Sequence, residues 1–520
     1  MANRKSGVLL HITSLPGTPG IGTLGTEAYR FADWLKSAGQ SLWQMLPLGP
    51  TGYGDSPYAS FSTFAGNPLL IDMDDLVKRG WAEKDAVVPP EYIKNDGDVD
   101  FGSVVWWKIP LLYKCASYFL AHGTKDDLVK YEAFKNDQSN WLNNFADYTS
   151  IKKYYDAKAQ SEKLFGVETM WCNYWPQKLA EHDPSAVSQW DAEHTQDIEE
   201  IKVVQFFFNE QWTALKKYVN NLGIQIIGDI PIFVAGDSAD VWANRRFFQF
   251  DGLKQKTCAG VPPDYFSATG QLWGNPLYDW DAMKKDNYSW WVDRIKNMLR
   301  LVDIVRIDHF RGFEAFWQIP YGAPNAVKGA WIKGPGKALF DEIKNRLGTL
   351  PIIAEDLGVI TPEVEELRDS CGFPGMKILQ FAFNEQKWSP ESAQNKDLPS
   401  NYKSNNIIVY TGTHDNDTTT GFFAAADKNL VKNAADYFNV KETPEPAEMT
   451  DVLIKAAFAS TADTCVIPVQ DICALGSETR MNMPSTTGKN WKWRMTPNLL
   501  DSTKAAYLKT LGDRYNRNLQ

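Results

Sequence analysis

Cysteine is scarce in this chain and shows no pairing pattern. The six residues, at 115, 172, 258, 371, 465 and 473, include no CxxC pair. That argues against a disulfide framework or a thiolate metal site and favours reduced thiols in a cytosolic setting. Long hydrophobic runs are absent, with nowhere 18 consecutive apolar residues, so no membrane-spanning helix is expected. The apolar run after Arg4 and Lys5 is too short for a signal-peptide core. Histidine is also sparse, six in 520 residues, and shows no metal-ligand spacing, so neither metal nor organic cofactor is expected. There is no basic stripe, and the net charge is −10. That balance excludes nucleic acid and anionic membrane as partners. Internal repeats and low-complexity tracts are missing too.

Aromatic residues are abundant: 20 Trp, 21 Tyr and 27 Phe. Much of this must be core. Several of these rings, however, fall in Gly/Pro/Asn-rich loop sequence, as in 53–58 (YGDSPY) and 271–276 (QLWGNP). A flat ring with a polar handle suits the apolar face and hydroxyl rim of a sugar.

Short β-rich runs recur at 7–12, 41–48, 224–234, 302–308, 350–356, 376–381, 406–413 and 464–470. Helical sequence separates the later ones, at 289–301, 336–347, 361–371 and 451–461. Eight strand-then-helix repeats predict a (β/α)8 barrel. The whole chain, 1–520, reads as one catalytic barrel with two insertions. One, 50–205, is mainly helical and follows strand two, with a helix over 184–222 leading back to the barrel. The other, 235–300, follows strand three and contains a lid loop at 260–278. Insertions that follow strands rise over the catalytic face of such a barrel. Residues 471–520 are too few for a C-terminal β-sandwich domain.

Four predicted strand ends carry acids: Asp229, Asp308, Glu355 and Asp415. A lone strand-end carboxylate is commonly a helix cap paired with a nearby Arg. Four converging on one mouth repel one another unless substrate, metal or shared protons offset the charge. Two carboxylates dividing the roles of nucleophile and acid/base are what glycoside chemistry requires. Arg306, two residues before Asp308 on one strand, faces the same side and is expected to hold Asp308 ionised. Glu355 then takes the acid/base role, and Asp415, helped by His414, binds the hydroxyls next to the anomeric carbon. Asp229 is expected to support the Arg or the nucleophile.

The stretches 228–234 (GDIPIFV), 305–312 (VRIDHFRG), 352–358 (IIAEDLG) and 412–417 (GTHDND) resemble the four signature regions of the α-amylase clan. With 260–276, 56–60, 64–68 and 480–484 they resemble more closely the amylomaltase or 4-α-glucanotransferase family, glycoside hydrolase family 77. The resemblance implies Asp308 as nucleophile, Glu355 as acid/base and Asp415 as transition-state stabiliser. It places Tyr58 stacked on the sugar at the reacting subsite, with Arg306 and His414 around it. Ser56, Gln271, Trp273, Asn275 and Asn482 join Asp229 as substrate-binding candidates. The implied partners are α-1,4-glucans and glucose, and the implied state is a monomer or homodimer in the cytoplasm, or in plastid stroma for a plant-type chain. Ala268 departs from the acidic residue of several relatives, which bears on acceptor preference. A hydrolase of the same glucans, or an inactive glucan-binding protein, would carry many of the same residues.

Overall fold

The computed structural model describes residues 4–94, 96–263, 267–383, 392–441 and 443–519. Eight short parallel strands form one sheet: β1 (Lys5–Leu9), β2 (Leu42–Gln44), β3 (Gln225–Pro231), β4 (Ile304–Asp308), β5 (Ile352–Ala354), β6 (Gly375–Ile378), β7 (Ile407–Tyr410) and β8 (Thr464–Pro468). β1 to β5 pair in sequence order, as do β6 to β8, and β1 pairs with β8. Between β5 and β6 the ring closes through two hydrogen bonds. The Ala354 N–H donates to the Pro374 carbonyl at 3.0 Å. The Met376 N–H donates to Asp356 Oδ1 at 2.7 Å. This is the (β/α)8 barrel that the eight runs predicted, with all eight strands in the expected order.

Strands buried on both faces need apolar residues at both parities. Leu42, Ile227, Ile353, Met376, Ile408 and Val466 pack together inside the ring. The alternate set, including Trp43, Ile226, Val305 and Val409, packs outward in the main core. β1 and β2 approach so closely at Gly7 that an added Cβ would lie 2.4 Å from Leu42 Cβ.

Most strands are shorter than their apolar runs. The run 376–381 leaves the ladder at Ile378 for a 3-10 turn, Leu379–Phe383. The run 464–470 turns at Pro468 into the helix Val469–Ile472. The helix expected over 184–222 is two, Pro184–Glu193 and Thr195–Asn221, broken at His194 with φ −123°. Between β2 and β3 lie the helices Phe101–His122, Lys125–Asp137 and Leu142–Ser161.

The segment expected as a lid loop is largely a β-hairpin. Thr257–Val261 pairs antiparallel with Gln271–Pro276, and also with Ala315–Pro320, which in turn pairs with Ala330–Lys333. The last two strands come from the connection after β4 and were not anticipated from the sequence. They anchor the base of the lid in a four-stranded sheet.

Candidate active site

The end of β4 is irregular where the chemistry gathers. In a regular parallel ladder, Glu355 opposite Asp308 would bond to Ile307 and His309. The Glu355 N–H does donate to the Ile307 carbonyl at 3.0 Å, but the Glu355 carbonyl accepts from Phe310, also at 3.0 Å. One extra residue is therefore accommodated on β4, a bulge of the kind that re-aims side chains beside active sites. His309 sits in it with φ 53° and ψ 47°, a left-handed conformation. Its freed N–H donates to Glu355 Oε2 at 2.7 Å. The other oxygen, Oε1, accepts from the Leu357 N–H at 2.9 Å.

Beneath the strand ends lies a buried polar cluster. Arg306, with its side chain 3 % exposed, donates through Nη1 to Asp308 Oδ1 at 3.1 Å and to Asp229 Oδ2. Asp229 Oδ2 also accepts from the Tyr58 hydroxyl at 2.6 Å. That hydroxyl lies 2.9 Å from His414 Nε2, so the network assigns the imidazole proton to Nε2. The same nitrogen lies 3.3 Å from Asp415 Oδ2. Asp415 Oδ1 accepts from Asn482 Nδ2 at 2.6 Å, and the Asp415 carbonyl accepts from Arg480 Nη2 at 2.6 Å. The rings of Tyr58 and His414 are nearly parallel with centroids 5.3 Å apart. Trp491 tilts against both.

Burial pushes Glu355 up to about 7, against the pull of Arg306 and the two N–H donors. Burial also pushes Asp308 well above the usual carboxylate range; Arg306 opposes this, while Asp229, Glu355 and Asp415 reinforce it. The expectation that Arg306 by itself keeps Asp308 ionised is thereby corrected. One guanidinium nitrogen is divided between Asp229 and Asp308, so its charge does not outweigh burial and three neighbouring acids. Asp308 and Glu355 repel each other, and burial disfavours the charged form of both. Burial lowers His414, so its imidazole is neutral, and burial with Asp229 raises the Tyr58 phenol, which stays a donor.

A cleft of ≈ 610 Å³ opens above this cluster. Ser56, Tyr58, Gln271, Trp273, Asn275, Asp308, His414, Asp415 and Asn482 all line it, so the fold brings these expected residues to one place. Asp229 and Arg306 lie below it, fully buried. Glu355 is half-buried and stands off the cleft wall behind His309. Ser56 Oγ accepts the Tyr58 N–H and shapes the turn that presents Tyr58. Gln271 Oε1 accepts from Trp273 Nε1 at 3.1 Å, and Asn275 Nδ2 is anchored on the Val234 carbonyl at 2.9 Å. Asp264, Tyr265 and Phe266, expected in the lid, lie outside the described residues.

Sequence reasoning missed three contributors. His309 lines the cleft and its ring meets Trp273 edge to face. Trp491 also lines it, held at φ 69° by its N–H on the Met481 carbonyl. Arg480 sits two residues from Asn482, and that proximity was the available signal.

Residues 10–500 match the family described as 4-alpha-glucanotransferase, glycoside hydrolase family 77. A 4-alpha-glucanotransferase of Streptococcus pneumoniae is 44% identical over 504 residues, 96% of this chain and 95% of the relative. The Thermus thermophilus 4-alpha-glucanotransferase is 43% identical over 98% of both chains. A chloroplastic/amyloplastic 4-alpha-glucanotransferase of Arabidopsis thaliana is 44% identical over 99% of this chain and 84% of the relative. The solved amylomaltase of Streptococcus agalactiae, in complex with acarbose, superposes with TM-score 0.92 at 38% identity, covering 99% of this chain and 100% of that one. By sequence and fold together, the chain belongs to glycoside hydrolase family 77, the 4-alpha-glucanotransferases.

Proposed function

We propose that this chain moves α-1,4-glucan segments from a donor to the 4-OH of an acceptor glucan or glucose through a glycosyl-Asp308 intermediate. The observation that carries the assignment of roles is the unequal treatment of two neighbouring acids. Arg306 hydrogen-bonds Asp308 and makes no hydrogen bond to Glu355, which supports Asp308 as the attacking carboxylate and Glu355 as the group that carries the proton. Asp308 attacks C1 of the donor while Glu355 protonates the leaving 4-oxygen. Acceptor then attacks C1, Glu355 takes its hydroxyl proton, and the C1–Asp308 bond breaks. Asp415, held by Asn482 and His414, grips the hydroxyls next to the anomeric carbon. Tyr58 offers its ring to the sugar while its hydroxyl ties Asp229 to His414.

The roles of Ser56, Gln271, Trp273, Asn275, Arg306 and Asn482 in binding belong to the same proposal. So do one catalytic unit over 1–520 with its insertions at 50–205 and 235–300, a monomeric or homodimeric state, and a cytoplasmic or plastid-stromal setting. Among the described residues no helix is long and apolar enough to cross a membrane.

Maltotriose separates transfer from its rivals. A ladder of longer oligomers plus glucose is the expected product. Glucose and maltose without longer products would mean a hydrolase, and unchanged maltotriose a binding protein.

A further inference from the structure

The bulge on β4 joins the lid to the acid/base. The left-handed turn at His309 does two things with one residue. Its N–H holds Glu355 Oε2 at 2.7 Å, and its ring stands edge to face with Trp273, centroids 4.8 Å apart at 82°. Trp273 is 38% exposed on the lid hairpin, while Glu355 is half-buried at the end of β5, and no hydrogen bond joins the two directly among the described residues. The ring has little other polar anchorage, since its Nε2 is buried without a partner. Left-handed backbone is sparsely populated by residues other than glycine, so it persists where surrounding contacts hold it. Here those include the Glu355 hydrogen bonds on one side, Trp273 on the other, and the Gly312 N–H on the His309 carbonyl at 3.0 Å.

We propose that His309 is a positioning residue that couples the lid to Glu355, so that a sugar seated against Trp273 fixes the turn and keeps its N–H on the Glu355 carboxylate. The inference rests on the transferase reading above. Its use lies in the second half of the reaction. There the acceptor hydroxyl attacks C1, the C1–O bond to Asp308 breaks with its electron pair returning to Asp308, and the hydroxyl proton goes to Glu355. Glu355 must be an acid when the donor is cleaved and a base when the acceptor attacks. An N–H donated to a carboxylate favours the charged form. Acceptor bound at the lid would therefore favour the base form when the base is needed. The groups facing Glu355 are Arg306 and Asp308 from β4, Asp356 beside it and the N–H groups of His309 and Leu357; Arg311 faces His309. None of these is part of the lid.

The test measures transfer from α-glucosyl fluoride to glucose between about pH 4 and 9, since this donor needs no proton for cleavage and exposes the base step. The variants are His309→Gly, which keeps the N–H and the left-handed turn but removes the ring, Trp273→Ala, their double variant, and His309→Phe. Lowered plateau rates are expected in all of them. The decisive readout is the acid limb. His309→Gly and Trp273→Ala should each move it upward, giving a further loss of about three- to tenfold on the acid side relative to the plateau. The double variant should add little to either single change, as for two residues acting through one contact. His309→Phe, which restores an aromatic edge against Trp273, should return the limb toward its original position. A uniform loss at every pH, additive single effects, or a His309→Phe limb like that of His309→Gly would overturn the coupling. If the unaltered protein cleaves the fluoride but passes no glucosyl unit to glucose, the transferase reading itself fails instead.

Discussion

Asp308 and Glu355 differ in what touches them, and that difference predicts different responses to substitution. Asp308→Asn removes the nucleophile and should abolish transfer from any donor. Glu355→Gln should slow maltotriose cleavage by about 10²–10⁴, the usual worth of a general acid, while α-glucosyl fluoride is cleaved at close to the original rate. Equal sensitivity of both variants to the leaving group would invert or dissolve the roles. The pH dependence follows from Glu355 as well. Its carboxyl is raised by burial from 4.5 to about 7, so the acid form is present below about pH 7 and is lost as pH rises through that value. Cleavage of maltotriose should accordingly fall by about tenfold per pH unit on the alkaline side. The fluoride should show no such fall in its cleavage step. In a sugar-bound form the two carboxyls should stand about 5–5.5 Å apart, the separation for retention.

At the scale of elements, the lid hairpin has the task of favouring acceptor over water. Water at ~55 M against acceptor at ~5 mM is a handicap of ~10⁴, equivalent to ~5.5 kcal/mol at about 1.36 kcal/mol per decade. Orienting the acceptor and excluding water are the available remedies. Trp273 supplies exposed apolar surface at the cleft, and the sheet with Ala315–Pro320 and Ala330–Lys333 fixes the hairpin base. Trp273→Ala should raise the ratio of free reducing ends to transfer products more than it lowers donor cleavage. An unchanged ratio would move that task to the helical segment between β2 and β3. The β1–β2 contact gives a stability prediction of the same scale. Gly7→Ala sets a methyl 2.4 Å from Leu42 Cβ and 2.6 Å from its carbonyl oxygen, so backbone must move. The expected cost is about 1–3 kcal/mol, read as a lower midpoint in denaturant.

For the whole molecule, the barrel has one weak seam, between β5 and β6. Asp356, 4% exposed, spans it: Oδ1 accepts the Met376 N–H at 2.7 Å and Oδ2 is paired with Arg368. Asp356→Ala leaves that N–H without its acceptor, while the Arg368 guanidinium keeps Asp369. A loss of about 1–3 kcal/mol is expected, as for a buried donor left without its acceptor. Because a chain of this size can unfold irreversibly, the half-life at elevated temperature is the suitable measure. Cleavage by protease should begin near this seam if the barrel opens there first.

Local patterns made the barrel legible: eight apolar runs with β-branched residues can be buried on both faces in only a few ways, and helical segments between them make the strands parallel. The same runs put Asp308, Glu355 and Asp415 at or just beyond strand ends, while Asp229 stays inside β3, where Arg306 partners it. Helix 289–301 was readable to the residue, its apolar face repeating with helical spacing. What required tertiary structure were relations between distant segments. The burial of Asp308 among other acids, which raises it against the pull of an Arg306 shared with Asp229, depends on the β3–β4 register and on burial depth. The lid became a hairpin because the strand Ala315–Pro320 arrives beside it from another loop. His309 became part of the site because a one-residue bulge turned its N–H to Glu355 and its ring to Trp273. Sequence spacing carries the chemistry that neighbours along the chain can do together; charge division, edge pairing and bulges are set by what packs from elsewhere, and only the folded chain contains that information.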